Sequence, residues 1–151
     1  MSHLIDETTS IVDRQKQLIE EFLLFENWAE RYQYLIDLGD ALAPLPVSMR
    51  TDANRITGCH SETFLIAVRT NGQLRLHGAS DMPTLAGLLA IIIRVYSNKA
   101  PADILRHPPD LLDSIGLTKR LSPHRRVALL RIHERLITLA SDMPEVSKRA
   151  S

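Results

Sequence analysis

The dipeptide Asn71-Gly72 constrains the fold more than any other part of the sequence. Asn-Gly is a preferred two-residue turn between antiparallel strands, because both residues readily adopt a positive φ. Residues 62–70 alternate and are rich in Thr, Phe, Ile and Val, while residues 73–78 place leucines on one face and polar side chains on the other. The sequence therefore predicts a β-hairpin near the middle of the chain.

A shorter segment before the hairpin, residues 54–57, is a candidate third strand. Apolar residues recur at helical spacing on both sides of these strands. Ser10 and Asn27 are candidate N-caps, and Gly39 is the predicted end of the second helix. The predicted helices cover residues 11–24, 28–38, 83–97, 109–115 and 122–140, with a short turn at 101–106. We therefore predict an α+β fold in which helices cover a small three-stranded antiparallel sheet.

The composition fits one globular domain, since 44% of the 151 residues are apolar. We predict this domain over residues 1–143 and a solvated tail over 144–151. The most apolar stretch, residues 84–93, is too short to span a bilayer and is expected to be a buried helix. The 18 basic and 18 acidic residues balance, which argues against nucleic acid and anionic membranes as partners. The N-terminal residues do not resemble a secretory signal, so we expect a cytoplasmic protein.

Cys59 is the single cysteine of the chain. It cannot form an internal disulfide or supply the thiolate sets that hold iron–sulfur clusters or structural zinc, so we expect no resident cofactor or metal. A free cysteine is often an inert, buried apolar residue, and composition alone favours that interpretation. Its place on a turn between strands, after Gly58 and before Ser61, favours a reactive thiol instead.

Two further features are candidates for supporting this thiol. Ser122 and Pro123 are typical of a helix start, and Arg125 in its first turn could face an anionic sulfur or lie on a solvated face. Gly87 lies within a predicted helix, where glycine costs about 1 kcal/mol relative to alanine. Such a glycine suggests close packing of the helix against the sheet or the cysteine turn, although an incidental glycine is an equal alternative.

Two other kinds of site remain open from the residues alone. Cys59 and His60 could form a hydrolase dyad, but adjacent residues on a turn point apart. A zinc site could draw on Cys59, His60, His77 and Asp81, although their spacing matches no recognised pattern. His77 is more simply an outward-facing strand residue.

The order of motifs along the chain resembles the SufE family of sulfur acceptors. The matching segments are Asn-Trp with paired tyrosines and Leu-Gly at 27–39, Asn-Arg-Ile-Thr-Gly-Cys-His-Ser at 54–61, residues 78–81, 87–90, Tyr96, 101–104 and 121–125. The sequence departs from the family pattern at His60, where Gln is usual, at Thr63-Phe64 in place of Val-Trp, at Leu85-Ala86, and at Arg126-Val127-Ala128, where a glycine is expected.

The resemblance implies a fold shared with IscU-type scaffolds and a role as sulfur carrier. Cys59 would take persulfide sulfur from a SufS- or CsdA-like cysteine desulfurase, stimulate that enzyme, and deliver the sulfur to a SufBCD-like complex for iron–sulfur cluster assembly. The protein would not itself be an enzyme, and a homodimer is left open. A non-transferring regulator of a desulfurase and a Cys-dependent hydrolase are the alternatives. Residues implied to shape or polarise the cysteine loop are Asn54, Gly58, His60, Ser61, Asp81, Gly87 and Arg125, with Arg125 expected to stabilise the anion.

Overall fold

The computed structural model describes residues 8–59 and 61–142, and the predicted tail at 144–151 lies outside the described residues. The described part of the chain forms an α+β fold. Its elements are, in order, α1 (Ile11–Leu23), α2 (Trp28–Asp40), β1 (Thr63–Thr70), β2 (Gln73–Ser80), α3 (Pro83–Tyr96), α4 (Pro101–Arg106), α5 (Leu111–Ser114), α6 (Leu117–Arg120) and α7 (Pro123–Asp142).

The hairpin predicted from Asn71-Gly72 is confirmed. Strands β1 and β2 pair antiparallel, and Thr70 lies opposite Gln73. Asn71 and Gly72 both have positive φ, at 53° and 77°. Primed turns need this backbone conformation because it matches the right-handed twist of the two strands.

The third predicted strand is not confirmed, since the sheet in the described residues has two strands. Asp52–Asn54 forms a 3-10 turn, and Arg55 makes a single antiparallel bridge to Phe64. The backbone then turns at Gly58, whose φ is +86°. Too few residues remain between these two turns to build a ladder. The bridge is held by the Ile56 amide, which donates to the Thr63 carbonyl at 2.8 Å.

Helix α3 is the centre of the fold, and the expectation of a buried helix over 84–93 is confirmed. Most of its residues are buried, and it packs against α2 on one side and β2 on another. At its C-terminus the buried Arg14 of α1 donates to the carbonyl oxygens of Val95 and Ser97, at 3.2 and 2.8 Å. A guanidinium at this end satisfies carbonyls that have no partner within the helix. No helix of the described residues is long and apolar enough to cross a membrane.

Gly39 and Gly87 form the closest helix contact, between α2 and α3. A Cβ added to Gly39 would lie 2.6 Å from the Gly87 amide nitrogen, and one added to Gly87 would lie 2.8 Å from Leu35 Cγ. Helix α2 continues through Gly39 to Asp40, so the prediction that Gly39 ends it is wrong. The close packing expected at Gly87 is present, but it is directed at α2 and not at the sheet or the cysteine turn.

Trp28, the first residue of α2, contacts α6, towards the other end of the described chain. The guanidinium groups of Arg31 and Arg120 both lie over its indole, with Cζ atoms 5.5 and 4.9 Å from the ring centroid. Gly116, at φ +76°, begins α6 and approaches the same ring. The sequence did not predict α6, which has four residues and contacts α2 through Trp28.

Candidate functional site

Cys59 lies on a tight loop between the 3-10 turn and β1. Gly58 precedes it in the left-handed region, at φ +86°, where a side chain would be strained. The thiol-bearing residue is half-buried and packs against the main core. The loop thus turns its cysteine inward, towards the body of the protein.

The base of the loop is fastened to the end of β2. The Asp81 carboxylate accepts from the Glu62 amide at 3.1 Å, and the Asp81 amide donates to the Glu62 carbonyl at 3.1 Å. This reciprocal pair continues the hairpin ladder by one step. Asp81 therefore supports the loop from its exposed base.

A cavity of about 420 Å³ opens beside Cys59. Its walls come from the cysteine loop, the start of α3 and the first turns of α7. The apolar wall is made by Met82, Leu85 and Ala128, and the polar side by Ser61, Ser122, His124 and Arg125. A sulfur atom carried on Cys59 would have room in this largely apolar space.

Arg125 reaches this cavity because α7 begins beside it. The Ser122 hydroxyl accepts from the Arg125 amide at 3.4 Å, as the predicted N-cap would. The Arg125 guanidinium donates to the Tyr32 hydroxyl at 2.8 Å, and that hydroxyl also contacts the hydroxyl of Thr84. Arg125 therefore lies in the cysteine cavity, as the sequence predicts, and its guanidinium also ties α7 to α2.

Arg131 is a site residue that sequence reasoning missed. Its side chain lies across Gly58, such that a Cβ at Gly58 would be 2.8 Å from Arg131 Nε. Its guanidinium also pairs with Glu134 at 3.0 Å. No local signal identifies Arg131, because its contact depends on how α7 crosses the loop.

Burial raises the pKa of the Cys59 thiol above its usual range, and two neighbours oppose this effect. The positive charge of Arg131 and a hydrogen bond from Thr63 both lower the pKa, but burial prevails. Thr63 is itself buried, and its hydroxyl lies 3.0 Å from the hydroxyls of both Ser61 and Ser80. In this conformation burial favours the protonated form of the Cys59 thiol, and Arg131 is the positive charge that opposes this effect.

Comparison with known protein families shows to which family the chain belongs. The model of the SufE family, described as an Fe-S metabolism associated domain, matches residues 16–145. The chain belongs to the SufE family. It is 33% identical over 125 residues to an uncharacterized SufE-like protein of Rhizobium meliloti, which covers 80% of this chain and 89% of that protein. A SufE-like protein of Rhizobium etli is 32% identical over 126 residues, covering 80% and 84%.

A solved structure has the same fold as this SufE protein. The solution structure of a hypothetical protein from Thermus thermophilus superposes with a TM-score of 0.70 over 85% of this chain and 93% of that chain, at 22% identity. Membership of the SufE family indicates a role in iron–sulfur metabolism, and domains of this family generally interact with cysteine desulfurases.

The other site residues predicted from the sequence lie in different parts of the fold. Gly58 and Ser61 line the cavity with Cys59. Asn54 acts before the loop, where its amide donates to the Met49 carbonyl at 2.8 Å. Gly87 belongs to the contact between α2 and α3. His60 lies outside the described residues.

The structure gives no support to the alternative zinc site within the described residues, which do not include His60. Among these residues, no three His, Cys, Asp or Glu side chains are grouped so that they could hold a metal ion. His77 is on β2, opposite Ile66, and Asp81 is occupied with the Glu62 amide. Phe64, one of the departures from the family pattern noted in the sequence, is buried, and the Cζ atoms of Arg50 and Arg55 lie 5.9 and 5.7 Å from its ring centroid.

Proposed function

We propose that this SufE protein accepts persulfide sulfur from a cysteine desulfurase onto Cys59, stimulates that desulfurase, and passes the sulfur on for iron–sulfur cluster assembly. The observation that carries the proposal is the position of the single cysteine, on a glycine-hinged loop at the edge of a largely apolar cavity. The protein acts as a partner of an enzyme and is not itself one. Its recipient would be an assembly complex of the SufBCD type.

The transfer step exchanges one sulfur–sulfur bond for another. The Cys59 thiolate attacks the terminal sulfur of the desulfurase persulfide, forming a new bond to that sulfur. The old bond breaks, its electron pair leaves with the desulfurase sulfur as a thiolate, and the terminal proton stays on the transferred sulfur. No outside oxidant or reductant is needed, because the transferred sulfur only changes its bonding partner.

The resting geometry suits a carrier that is activated on docking. Burial raises the pKa of the Cys59 thiol, so most of it is protonated and unreactive near neutral pH. A sheltered sulfur also resists oxidation, to which thiolates and their products are prone. Gly58 provides the backbone freedom for the loop to present Cys59 to a partner. A cytoplasmic location is part of the proposal, since a lone free thiol suits a reducing compartment.

Intact mass measurement tests the proposal directly. The protein is mixed with candidate desulfurases, pyridoxal phosphate and cysteine, and the chain should gain the mass of one sulfur atom. Cys59→Ser should gain none, because serine cannot hold sulfane sulfur. The absence of added sulfur with every desulfurase tried would reject the acceptor role.

Two activity assays separate the alternatives. Desulfurase turnover should rise with the wild-type protein and should not rise with Cys59→Ser. Full stimulation by Cys59→Ser would identify a regulator that transfers no sulfur. Hydrolysis of a model ester by the protein alone, abolished in Cys59→Ser, would instead identify a Cys-dependent hydrolase.

A further inference from the structure

We propose that Arg131 stabilises the Cys59 thiolate, and that the absence of a side chain at Gly58 is what lets its guanidinium approach the loop. The inference rests on the proposed function, for which it names the residue that makes the nucleophile available. The sequence and the family resemblance point to Arg125 for this task, whereas the geometry points to a residue six positions further along α7.

The contact between Arg131 and Gly58 carries the proposal. Three consecutive side-chain atoms of Arg131 lie within reach of a Cβ built on Gly58, with Nε at 2.8 Å, Cδ at 3.2 Å and Cγ at 3.4 Å. The side chain therefore lies along the backbone of the residue that precedes Cys59. Any other residue at position 58 would displace it.

Glu134 holds Arg131 in this orientation. Its carboxylate accepts from the Arg131 guanidinium at 3.0 Å, one turn further along the same helix. Glu134 also offsets part of the positive charge. Burial raises the pKa of Cys59, and the charge of Arg131 lowers it without overcoming the effect of burial.

The other charged groups near Cys59 have hydrogen-bond or ion-pair partners elsewhere, or lie on a wall of the cavity. In the cavity, the Arg125 guanidinium donates to the Tyr32 hydroxyl at 2.8 Å, and His124 lies on the same wall. At the loop base, Glu62 pairs with Arg55 at 3.3 Å, and the Asp81 carboxylate accepts from the Glu62 amide. His60, the next residue in the sequence, lies outside the described residues. A test must therefore separate Arg131 from Arg125 and from histidine titration.

The test is the rate of Cys59 alkylation by iodoacetamide, followed by intact mass between pH 7.5 and 11.5, so that the plateau of the rate profile is reached. This range lies above the usual titration of histidine. Arg131→Met should react about three- to ten-fold more slowly than wild type at pH 7.5, as loss of a nearby charge near a protein surface predicts. The midpoint of its rate profile should move to higher pH, and its plateau rate above that midpoint should match wild type or exceed it slightly.

Two variants serve as controls. Arg131→Lys keeps the charge and should restore most of the rate at pH 7.5. Arg126→Met removes an exposed arginine from the same helix, beside a different pocket, and should leave the midpoint unchanged. An unchanged midpoint in Arg131→Met would overturn the proposal, as would an equal shift in Arg126→Met. An equal loss of rate at every pH would also overturn it, because that result indicates altered access and not altered acidity.

The alkylation test stands apart from the test of sulfur transfer, because it needs no desulfurase. If wild type acquires no sulfur but Arg131→Met shifts the midpoint, the acceptor function fails and the thiolate role of Arg131 stands. If wild type acquires sulfur and the midpoint does not move, the acceptor function stands and the role of Arg131 fails.

Discussion

The two closest approaches that glycine permits in this protein are built differently. Between α2 and α3, Gly39 and Gly87 bring one helix backbone against the other. At the cysteine loop, Gly58 faces the side chain of Arg131. A backbone held in a buried helix pair cannot yield, whereas an arginine side chain on the surface can move aside.

Helix α3 connects these two regions. We infer that the backbone contact serves as a rigid support and that the side-chain contact allows movement. Leu85 of α3 lines the cysteine cavity, while Gly87, two residues later, faces α2. The contact between α2 and α3 is a fixed support for one wall of the cavity. The loop on the other side has a contact that can be broken and remade.

The largest effect is expected from Gly87→Ala, which tests whether the helix contact is rigid. Its methyl group would meet the Leu35 side chain at 2.8 Å and the Leu35 carbonyl oxygen. Overpacking costs about 1–3 kcal/mol, and a clash with backbone belongs at the upper end of this range, near 3 kcal/mol, while the better helix propensity of alanine returns about 1 kcal/mol. We expect a net loss of about 2 kcal/mol in the free energy of unfolding, measured by urea titration.

Gly39→Ala provides the internal check, because it forces apart the same two backbones. The double variant should lose less stability than the sum of the two single losses, since helices already separated accept the second methyl group more easily. A gain in stability for Gly87→Ala would show that helix propensity dominates and that the contact adapts.

A smaller effect is expected from Gly58→Ala, with Gly72→Ala as its matched control. Both glycines have positive φ, so each substitution should cost about 1 kcal/mol of backbone strain. Nothing lies within 4 Å of a Cβ at Gly72, whereas Arg131 lies against Gly58. Gly58→Ala should therefore lose a few tenths of a kcal/mol more, because the arginine must shift.

Urea titration of both variants in the Arg131→Ala background, which removes all three contacting side-chain atoms, sharpens this comparison. The extra loss at Gly58 should shrink once the longer side chain is gone. An extra loss of the same size as that of Gly87→Ala would contradict the view that the loop contact yields.

The smallest effect is expected in how the free energy of unfolding depends on alkaline pH, through one titrating group in each region. Burial and a hydrogen bond to Glu21 raise the pKa of Tyr34 to about 12. A raised folded-state pKa contributes stability below the ordinary value near 10, and that stability is lost as the pH rises towards 12. Tyr34→Phe should therefore lose less stability than wild type between pH 9 and pH 11.5, measured by urea titration.

The Cys59 thiol acts in the same direction, because burial raises its pKa as well. Its part of the alkaline loss begins at lower pH, near the ordinary value for a thiol. Cys59→Ser is the variant that isolates it. Identical pH profiles for wild type and both variants would show that neither group is linked to unfolding.

Local rules were sufficient for the parts of the fold that neighbouring residues determine. The Asn71-Gly72 hairpin and the N-caps at Ser10 and Asn27 were all predicted, and both cap side chains accept from amides three residues later. The third strand was predicted but is not formed in the described residues, because the turns at Asp52–Asn54 and Gly58 leave too few residues for a ladder. The role of Gly39 was not predicted, because it depends on packing against α3, which a local pattern does not record.

The residues of the candidate site also fall into those that a local motif predicts and those that depend on distant contacts. Cys59, Gly58 and Ser61 follow from a short loop motif, and Arg125 was placed in the cavity by a helix-start pattern and the family resemblance. Arg131 was missed because its partner, Gly58, lies 73 positions away along the chain. The hydroxyl of Thr63 was missed because a buried threonine in a strand is usually interpreted as packing alone.

The position of Trp28 has a practical consequence for solution work. It is the single tryptophan of the chain, so the emission of its indole is an intrinsic optical label. Because guanidinium groups carried by α2 and α6 both contact the ring, its signal should report whether α6 remains docked on α2. Fluorescence can therefore follow the helical layer during unfolding, while the chemistry of the thiol is followed separately by mass.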